Sequence, residues 1–493
     1  MNKFYITTSI AYTNSLPHVG YALELIQADV LARYNKLLGK EVFFLTGTDE
    51  HGRKNAEAAE KLGKDPQQFV DEIASQFQKL TGIFNISNDD FIRTTDQKRH
   101  WPTAQKVWNK IVEAGDLYKA KYKGLYCVGH EAFVKPGELE SGKCPLHDQE
   151  PQVIEEENWF FRLSKYKNDV KNLLTRGDLK ILPENKTKEV LAMLEDLEDI
   201  SFSRPSKDLS WGVPVPNDPD STFYVWVEAL INYLSGVEYA VESEKYKKFW
   251  PADVHLIGKD IVKFHAIYWP AILSSAGLPL PKAIYIHGFI TVEGQKMSKT
   301  IGNVVDPFKL VKKYGVDPVR YYLLREIPSN EDGDFSIKKL EDRYNGDLAN
   351  NLGNLVSRVA KLIQTKSDNK LIFEQKFLEK DVEDKINETK KNYVKAIEEF
   401  RLHEALGKLW ELLTFANAYI DQKKPWTETD PASLQKTLTG ALTIIIYSAS
   451  LLKPFLPETA EKIYQGFGAD FDVKDWEGYH FKLILSEPLF PRL

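Results

Sequence analysis

The sequence predicts an α/β protein in which a parallel-sheet domain is split by an insertion and followed by a helical bundle. Three observations predict it. Residues 4–46 read strand, helix, strand; residues 254–290 return to that order; and from about residue 344 apolar residues recur at helical spacing. At 493 residues the chain has room for about three domains. It is 43% hydrophobic and 28% charged, the balance of a globular protein. No apolar run approaches the roughly 18 residues of a transmembrane helix. The N-terminus leads straight into a strand, so no signal peptide is expected. Two cysteines, Cys127 and Cys144, are too few for a disulfide framework and fit a reducing, cytoplasmic compartment. A net charge of −6 argues neither for nor against a nucleic-acid partner, because such a partner needs only a locally basic face.

Residues 4–10 are β-branched and aromatic, the composition of a short strand. After a polar loop, Leu23, Ile26, Val30, Tyr34 and Leu37 step by three and four, which predicts an amphipathic helix ending at Gly39. Residues 42–46 form the next buried strand. The βαβ order implies a parallel sheet, and ligands bind such sheets beyond the carboxyl ends of the strands. His18 follows the first strand at the helix entrance, where amide groups and the helix dipole favour phosphate, and Gly20 leaves room for close approach. Asp49 follows the second strand. From the fragment alone it is equally an N-cap or a partner for a ligand ammonium group.

Residues 53–115 read as mostly helical, with Trp101 and Trp108 as core. Then Cys127-x2-His130, 13 residues, and Cys144-x2-His147 have the spacing of a tetrahedral, closed and therefore structural Zn²⁺ knuckle. The alternative is two buried cysteines beside two surface histidines. The proline-rich end of 210–216 marks the return to the core. Residues 223–233 begin strand-like and turn helical. Residues 254–258 and 283–290 are strands flanking a helix over 260–274, and the second delivers the chain to Gly294-Gln295-Lys296-Met297-Ser298-Lys299-Thr300. Two lysines three residues apart, with Gly294 and Gly302 on either side, suit a mobile loop that closes over a polyphosphate. Farther on, residues 441–452 predict a helix central in a bundle, and the mixed-sign run 376–401 a solvated helix face. Asn354 and Arg358 lie one helical turn apart, and Trp426 follows Lys423-Lys424-Pro425 at a helix junction; from the fragment alone the ring reads first as a capping aromatic of the core, and second as one of the aromatic and cationic groups that read unstacked bases.

The lysine stretch resembles the KMSKS signature of class I aminoacyl-tRNA synthetases, with Thr300 for the final serine. Pro17-His18-Val19-Gly20-Tyr21 resembles their HIGH signature, with Tyr21 where histidine is usual. Among these enzymes the chain resembles the methionyl-tRNA synthetases, through the knuckle insertion (His130 standing where cysteine is more usual), the Asp49 context, the Trp226 segment and the Lys-Pro-Trp junction. The resemblance implies a Rossmann-type catalytic domain and formation of methionyl-adenylate from ATP and L-methionine with Mg²⁺, followed by transfer to initiator and elongator tRNA(Met). It implies His18, Gly20, Lys296 and Lys299 as catalytic, with His18, Asp260 and both lysines at ATP. It places Asp49 at the methionine amino group, and Ile10, Tyr12, Trp226, Ala229, Leu230, Tyr233, Ile261 and His265 in the amino-acid pocket. It gives Asn354, Arg358 and Trp426 to the CAU anticodon. The expected domains are 1–115 and 223–302 for the two catalytic halves, 116–222 for the insertion with its knuckle near 127–147, 303–343 for a stem-contact linker, and 344–493 for the anticodon-binding bundle. Some relatives dimerise through an appended C-terminal domain; the sequence ends soon after the helical bundle, so a monomer is expected. A synthetase for another apolar amino acid, or a tRNA-binding protein without catalysis, are the alternatives.

Overall fold

The computed structural model describes residues 2–128, 132–145, 149–297, 302–470, 477–484 and 487–493, with backbone alone at 132 and 133. The chain divides into two compact units. One comprises Met1–Ala28, Asn35–Gly82 and Ile86–His287; the other comprises Asp29–Tyr34, Ile83–Asn85 and Gly288–Leu493.

The first unit is built on six parallel strands: β1 (Lys3–Thr8), β2 (Glu41–Asp49), β3 (Asp90–Arg93), β4 (Lys180–Leu182), β5 (Val254–Gly258) and β6 (Ala283–His287). Their order across the sheet is β3-β2-β1-β5-β6-β4, and Ala11 and Tyr12 continue the β1 edge in register with Thr48 and Asp49. β5 and β6 are buried along their whole length and β1 along all but its first residue. Near-continuous apolar strands of this kind belong to a parallel sheet covered on both faces. Tyr5, Phe43, Leu45, Trp108, Ile257 and Ile284 belong to one core cluster. From β1 the chain moves outward to β2 and β3 on one side, and from β5 to β6 on the other. The neighbours β1 and β5 therefore send their connections in opposite directions, which opens the crevice at which doubly wound sheets bind ligands.

Two strands were not legible in the sequence. β3 lies within the stretch read as helical, between the helices Pro66–Ile83 and His100–Glu113. β4 lies within the presumed insertion yet pairs with β6 as an edge strand; its three residues end at Pro183 and are too short for any periodicity. The stretch read as the insertion also holds an antiparallel sheet of Leu117–Cys127, Ala132–Val134, Gln152–Phe161 and Ile200–Ser201, a second one of Ser203–Pro205, Pro214–Val215 and Asp218–Phe223, and the helices Lys167–Arg176 and Thr187–Ala192. The continuous helix expected over 260–274 is also corrected. A 3-10 turn at Lys259–Ile261 is followed by a π-helical turn at Phe264–Tyr268, and only Trp269–Ser275 is α-helical. Pro270 has no N–H to continue the α ladder, and the wider turn precedes it.

In the second unit, Ile290–Val292 pairs with Gln295–Lys296 in a hairpin and with Gly333–Phe335 in parallel. Helices follow: Val316–Glu326, a π-helical Tyr344–Gly353, Asn354–Lys366, Lys380–Glu398, Leu402–Lys423, Pro431–Leu452 and Pro457–Gly466. Pro431–Leu452 carries the apolar run read as central, and most of its second half is buried. Arg320, in the stretch read as a stem contact, is fully buried. It donates to the carbonyls of Phe84, Pro454 and Phe455 and pairs with Asp29 at 2.7 Å, so it serves the fold itself.

Candidate active site

His18 immediately precedes helix α1 (Val19–Leu37), and its carbonyl accepts the N–H groups of Tyr21 and Ala22. Its Nδ1 accepts the Gly20 N–H at 3.1 Å. With that lone pair engaged, a neutral ring carries its proton on Nε2. His18 thus offers an N–H donor where the first amides and the dipole of α1 already favour an anion. Tyr21 meets Thr46 Oγ1 at 3.1 Å, and its hydroxyl also reaches the Gly47 carbonyl at 3.4 Å. Its ring stands edge-on to Phe77. Burial raises the Tyr21 phenol well above its ordinary range, so it stays neutral and ties α1 to the end of β2.

Asp49, the last residue of β2, is 3% exposed, and its carbonyl accepts from the Thr13 backbone and hydroxyl at 3.0 and 3.2 Å. Gly47, two residues earlier, has no room for a side chain, since a Cβ would lie 2.1 Å from the Ile92 carbonyl of β3. Next to Asp49, the buried Glu50 receives both arms of the Arg93 guanidinium at 2.6 and 2.8 Å, together with Thr48 and Thr95. That carboxylate is committed to the loop.

Helix α2 (Val225–Ser235) follows the insertion. Trp226 stacks on Phe264, with centroids 4.2 Å apart and planes 12° apart. Ala229, Leu230 and Tyr233 are buried on the same stripe. Tyr233 Oη lies 2.7 Å from His265 Nε2, and His265 Nδ1 lies 3.0 Å from the Ile261 carbonyl. A carbonyl only accepts, so Nδ1 carries the proton and Nε2 accepts from Tyr233. Burial pushes His265 down to about 4, which keeps the ring neutral. Ile10, Tyr12 and Ile261 are half-buried against the same core. The side chains gathered here are aromatic, aliphatic and uncharged, a set that suits a thioether.

Asp260 is exposed one residue beyond the 3-10 turn's start, and a Cβ at Gly258 would sit 2.7 Å from its Oδ1. Sequence reasoning missed a bridge across the crevice: Glu24 of α1 accepts from Ser9 N and Oγ at 2.8 and 2.6 Å and meets His287 Nε2 at 2.9 Å. It also missed Arg204, buried between the rings of Tyr126 and Tyr224. An acid between the apolar residues Leu23, Leu25 and Ile26 of α1 was the available signal for Glu24.

Lys296 lies in the second unit, exposed, in a hairpin whose turn residues Glu293 and Gly294 both have positive φ, 51° and 76°. Asp334 Oδ1 clamps that turn by accepting from Gly294 N and Thr291 Oγ1, both at 2.7 Å. Lys299 lies outside the described residues. So do His130 and His147. Cys127 and Cys144 are each 1% exposed and form no disulfide, a state that fits thiolate ligands of Zn²⁺. Among the described residues no cluster of three metal-ligating side chains occurs.

In the helical region, the guanidinium of Arg358 lies 5.8 Å from the ring centroid of Trp426 and pairs with Asp421 at 2.6 Å. Trp426 is 46% exposed, and Asn354 is exposed one turn before Arg358. The structure therefore joins Arg358 and Trp426 and leaves Asn354 beside them on the helix Asn354–Lys366.

The family model for class I tRNA synthetases (M) matches residues 4–146 and 131–360, and that for the anticodon-binding domain of tRNA ligases matches residues 379–491. A methionine–tRNA ligase from Thermotoga maritima is 44% identical over 473 residues, covering 94% of this chain and 75% of that one. The chain belongs to the methionine–tRNA ligase family. A methionine–tRNA ligase of Bacillus subtilis is 40% identical, covering 100% of this chain and 78% of its own. Mycobacterium tuberculosis methionyl-tRNA synthetase, solved in complex with methionyl-adenylate, superposes with a TM-score of 0.94 at 37% identity over 100% of both chains. As a family member the chain is a class I synthetase by fold, and no helix among the described residues is long and apolar enough to cross a membrane.

Proposed function

We propose that this chain activates L-methionine with ATP, giving methionyl-adenylate and pyrophosphate, and then esterifies the 3′ end of initiator and elongator tRNA(Met). What supports this reading is that Asp49 ends β2 and that His18 and Asp260 follow β1 and β5, the neighbouring strands whose connections diverge, with Tyr233 and His265 hydrogen-bonded to each other in the same unit. Family membership over nearly the whole chain supports it.

In this reading a methionine carboxylate oxygen attacks the α-phosphorus of ATP, and the bond to pyrophosphate breaks. Asp49 pairs with the ammonium group. Ile10, Tyr12, Trp226, Ala229, Leu230, Tyr233, Ile261 and His265 enclose the side chain, and a neutral His265 keeps charge out of that enclosure. Asp260 holds the ribose. His18 Nε2–H donates to the phosphate, Gly20 lets it approach the backbone, and Lys296 and Lys299 stabilise the charge that develops. Mg²⁺, bound with ATP, supplies neutralisation of the polyphosphate. A tRNA hydroxyl then attacks the adenylate carbonyl and AMP leaves. Removing one preorganised donor of this kind typically costs roughly 10²–10³ in rate.

Cys127, His130, Cys144 and His147 would hold one structural Zn²⁺. The division at 115, 222, 302 and 343 remains our reading of the domains, and the chain acts as a cytoplasmic monomer. ATP–pyrophosphate exchange without tRNA, run with each standard amino acid, tests the function. Exchange with methionine alone is expected. Exchange with another amino acid overturns the pocket assignment, and exchange with none overturns the enzyme in favour of an RNA-binding protein.

A further inference from the structure

We propose that Glu228, through His51 and His100, positions the methionine pocket: it locks α2 so that Trp226, Ala229, Leu230 and Tyr233 keep their spacing from Asp49, without itself touching substrate. The inference deepens the functional reading above and rests on it.

Helix α2 is apolar apart from Glu228, Asn232 and its final residues. Trp226, Ala229, Leu230 and Tyr233 follow one helical stripe, and two of them meet Phe264 and His265. Glu228 and Ser235, seven residues apart, follow another. Glu228 is 0% exposed, and its Oε1 lies 2.6 Å from His51 Nδ1 and 3.7 Å from His100 Nε2. His100 Nδ1 in turn lies 3.0 Å from Ser235 Oγ, in the last turn of the same helix. Both ends of α2 are thereby fastened, one to the residue two beyond Asp49 and the other to the first residue of the helix that follows β3.

The fastening is itself braced. The His51 ring packs against Trp101 and Trp211, with centroids at 6.1 and 5.3 Å. Trp211 Nε1 donates to the Glu50 carbonyl at 2.8 Å, and Trp101 Nε1 to the Thr94 carbonyl at 3.1 Å. Asn55 Nδ2 reaches the His51 carbonyl at 3.2 Å and Thr13 Oγ1 at 3.0 Å. Thr13 is the residue that holds the Asp49 carbonyl. An unbroken line of packed groups thus runs from Asp49 through Thr13, Asn55 and His51 to Glu228 and the pocket helix.

A carboxylate buried in an apolar helix is costly unless it is paired, and buried ion pairs seldom stabilise more than apolar side chains of the same volume. Their best-supported gain is a unique geometry. Here the geometry at stake is the separation between the group facing the ammonium and the groups facing the thioether. The proposed ATP side depends on His18 and Asp260, which follow β1 and β5; the Asp260 turn reaches α2 only indirectly, through the Ile261 carbonyl, His265 and Tyr233.

The test is steady-state ATP–pyrophosphate exchange by the full chain, with methionine and ATP varied separately. Glu228→Gln keeps the shape and removes the charge. Because small misplacements of bound groups can cost up to about 100-fold, a rise of about tenfold in the KM for methionine is expected, with kcat and the KM for ATP within about twofold. Ser235→Ala removes only the far anchor and should raise the methionine KM by a smaller factor; it decides the matter if Glu228→Gln does not fold. An unchanged methionine KM in the folded variants, or an equal rise in both KM values, overturns the proposal. Wild-type protein that exchanges no methionine overturns the functional reading, and this inference with it.

Discussion

The proton positions at the base of the pocket follow from its donors and acceptors, and they set a pH dependence. His265 is pushed by burial from an ordinary 6.5 to about 4. Between those values the unfolded chain binds a proton that the folded one does not, so stability falls as pH falls through this window. A difference of that size is worth about 3 kcal/mol. His255, held between Thr7 Oγ1 and Trp269 Nε1 and pushed down by burial, acts in the same direction. Glu228 follows at lower pH. Burial would raise it, but His51 and His100 outweigh burial and hold it at about 2, so its contribution is complete above 4.5 and lost on further acidification. The melting temperature should therefore drop steeply from pH 6.5 to 4, and less steeply in His265→Asn. A flat profile, or equal slopes in both proteins, would refute this assignment. The sequence already marked His265 through its family context. It did not mark the His51–Glu228 contact, which spans 177 positions and becomes visible only when α2 packs on the loop after β2.

At the scale of elements, short pieces escaped the sequence where ladder pairing and not periodicity creates them. β3 and β4 gain their identity from β2 and β6, whereas α1, α2, β1 and β5 announced themselves by pattern. Glycines at two strand ends make the consequence testable. At Gly47 a Cβ meets the Ile92 carbonyl, which cannot retreat without breaking the β2–β3 ladder, so Gly47→Ala should destabilise by about 1–3 kcal/mol. At Gly258 the φ of −71° suits any residue, and the new Cβ is crowded by the end of Asp260 alone, with the His287 ring at ordinary contact distance. Gly258→Ala should therefore change stability by less than about 0.5 kcal/mol. By moving Asp260 it should also raise the KM for ATP several-fold and leave that for methionine unchanged. Equal melting curves for the two variants would contradict the contrast. For the insertion, metal analysis of purified protein should give about one zinc per chain, as a closed four-ligand site requires. Cys144→Ser should lower that ratio, and zinc-free protein with an intact insertion would exclude a structural role.

For the molecule as a whole, the residues proposed to hold methionine lie in the first unit, whereas Lys296 and the Arg358–Trp426 pair lie in the second. Arg358 lies over an exposed ring and is held by a half-exposed ion pair with Asp421, a weak contact that a nucleic-acid partner can replace at little cost. Base stacking on an aromatic side chain is worth about 1–3 kcal/mol per base, or about 5- to 150-fold in affinity. Trp426→Ala should accordingly raise the KM for tRNA(Met) in aminoacylation within that range, while exchange of pyrophosphate without tRNA stays at the wild-type rate. The pairing of assays separates recognition from chemistry. Loss of both activities would mean that Trp426 supports the fold, for example by bracing the junction after Lys424. Loss of neither would remove Trp426 from the RNA-binding face, leaving Asn354 and Arg358 to account for anticodon reading without the stacking surface that the exposed ring provides.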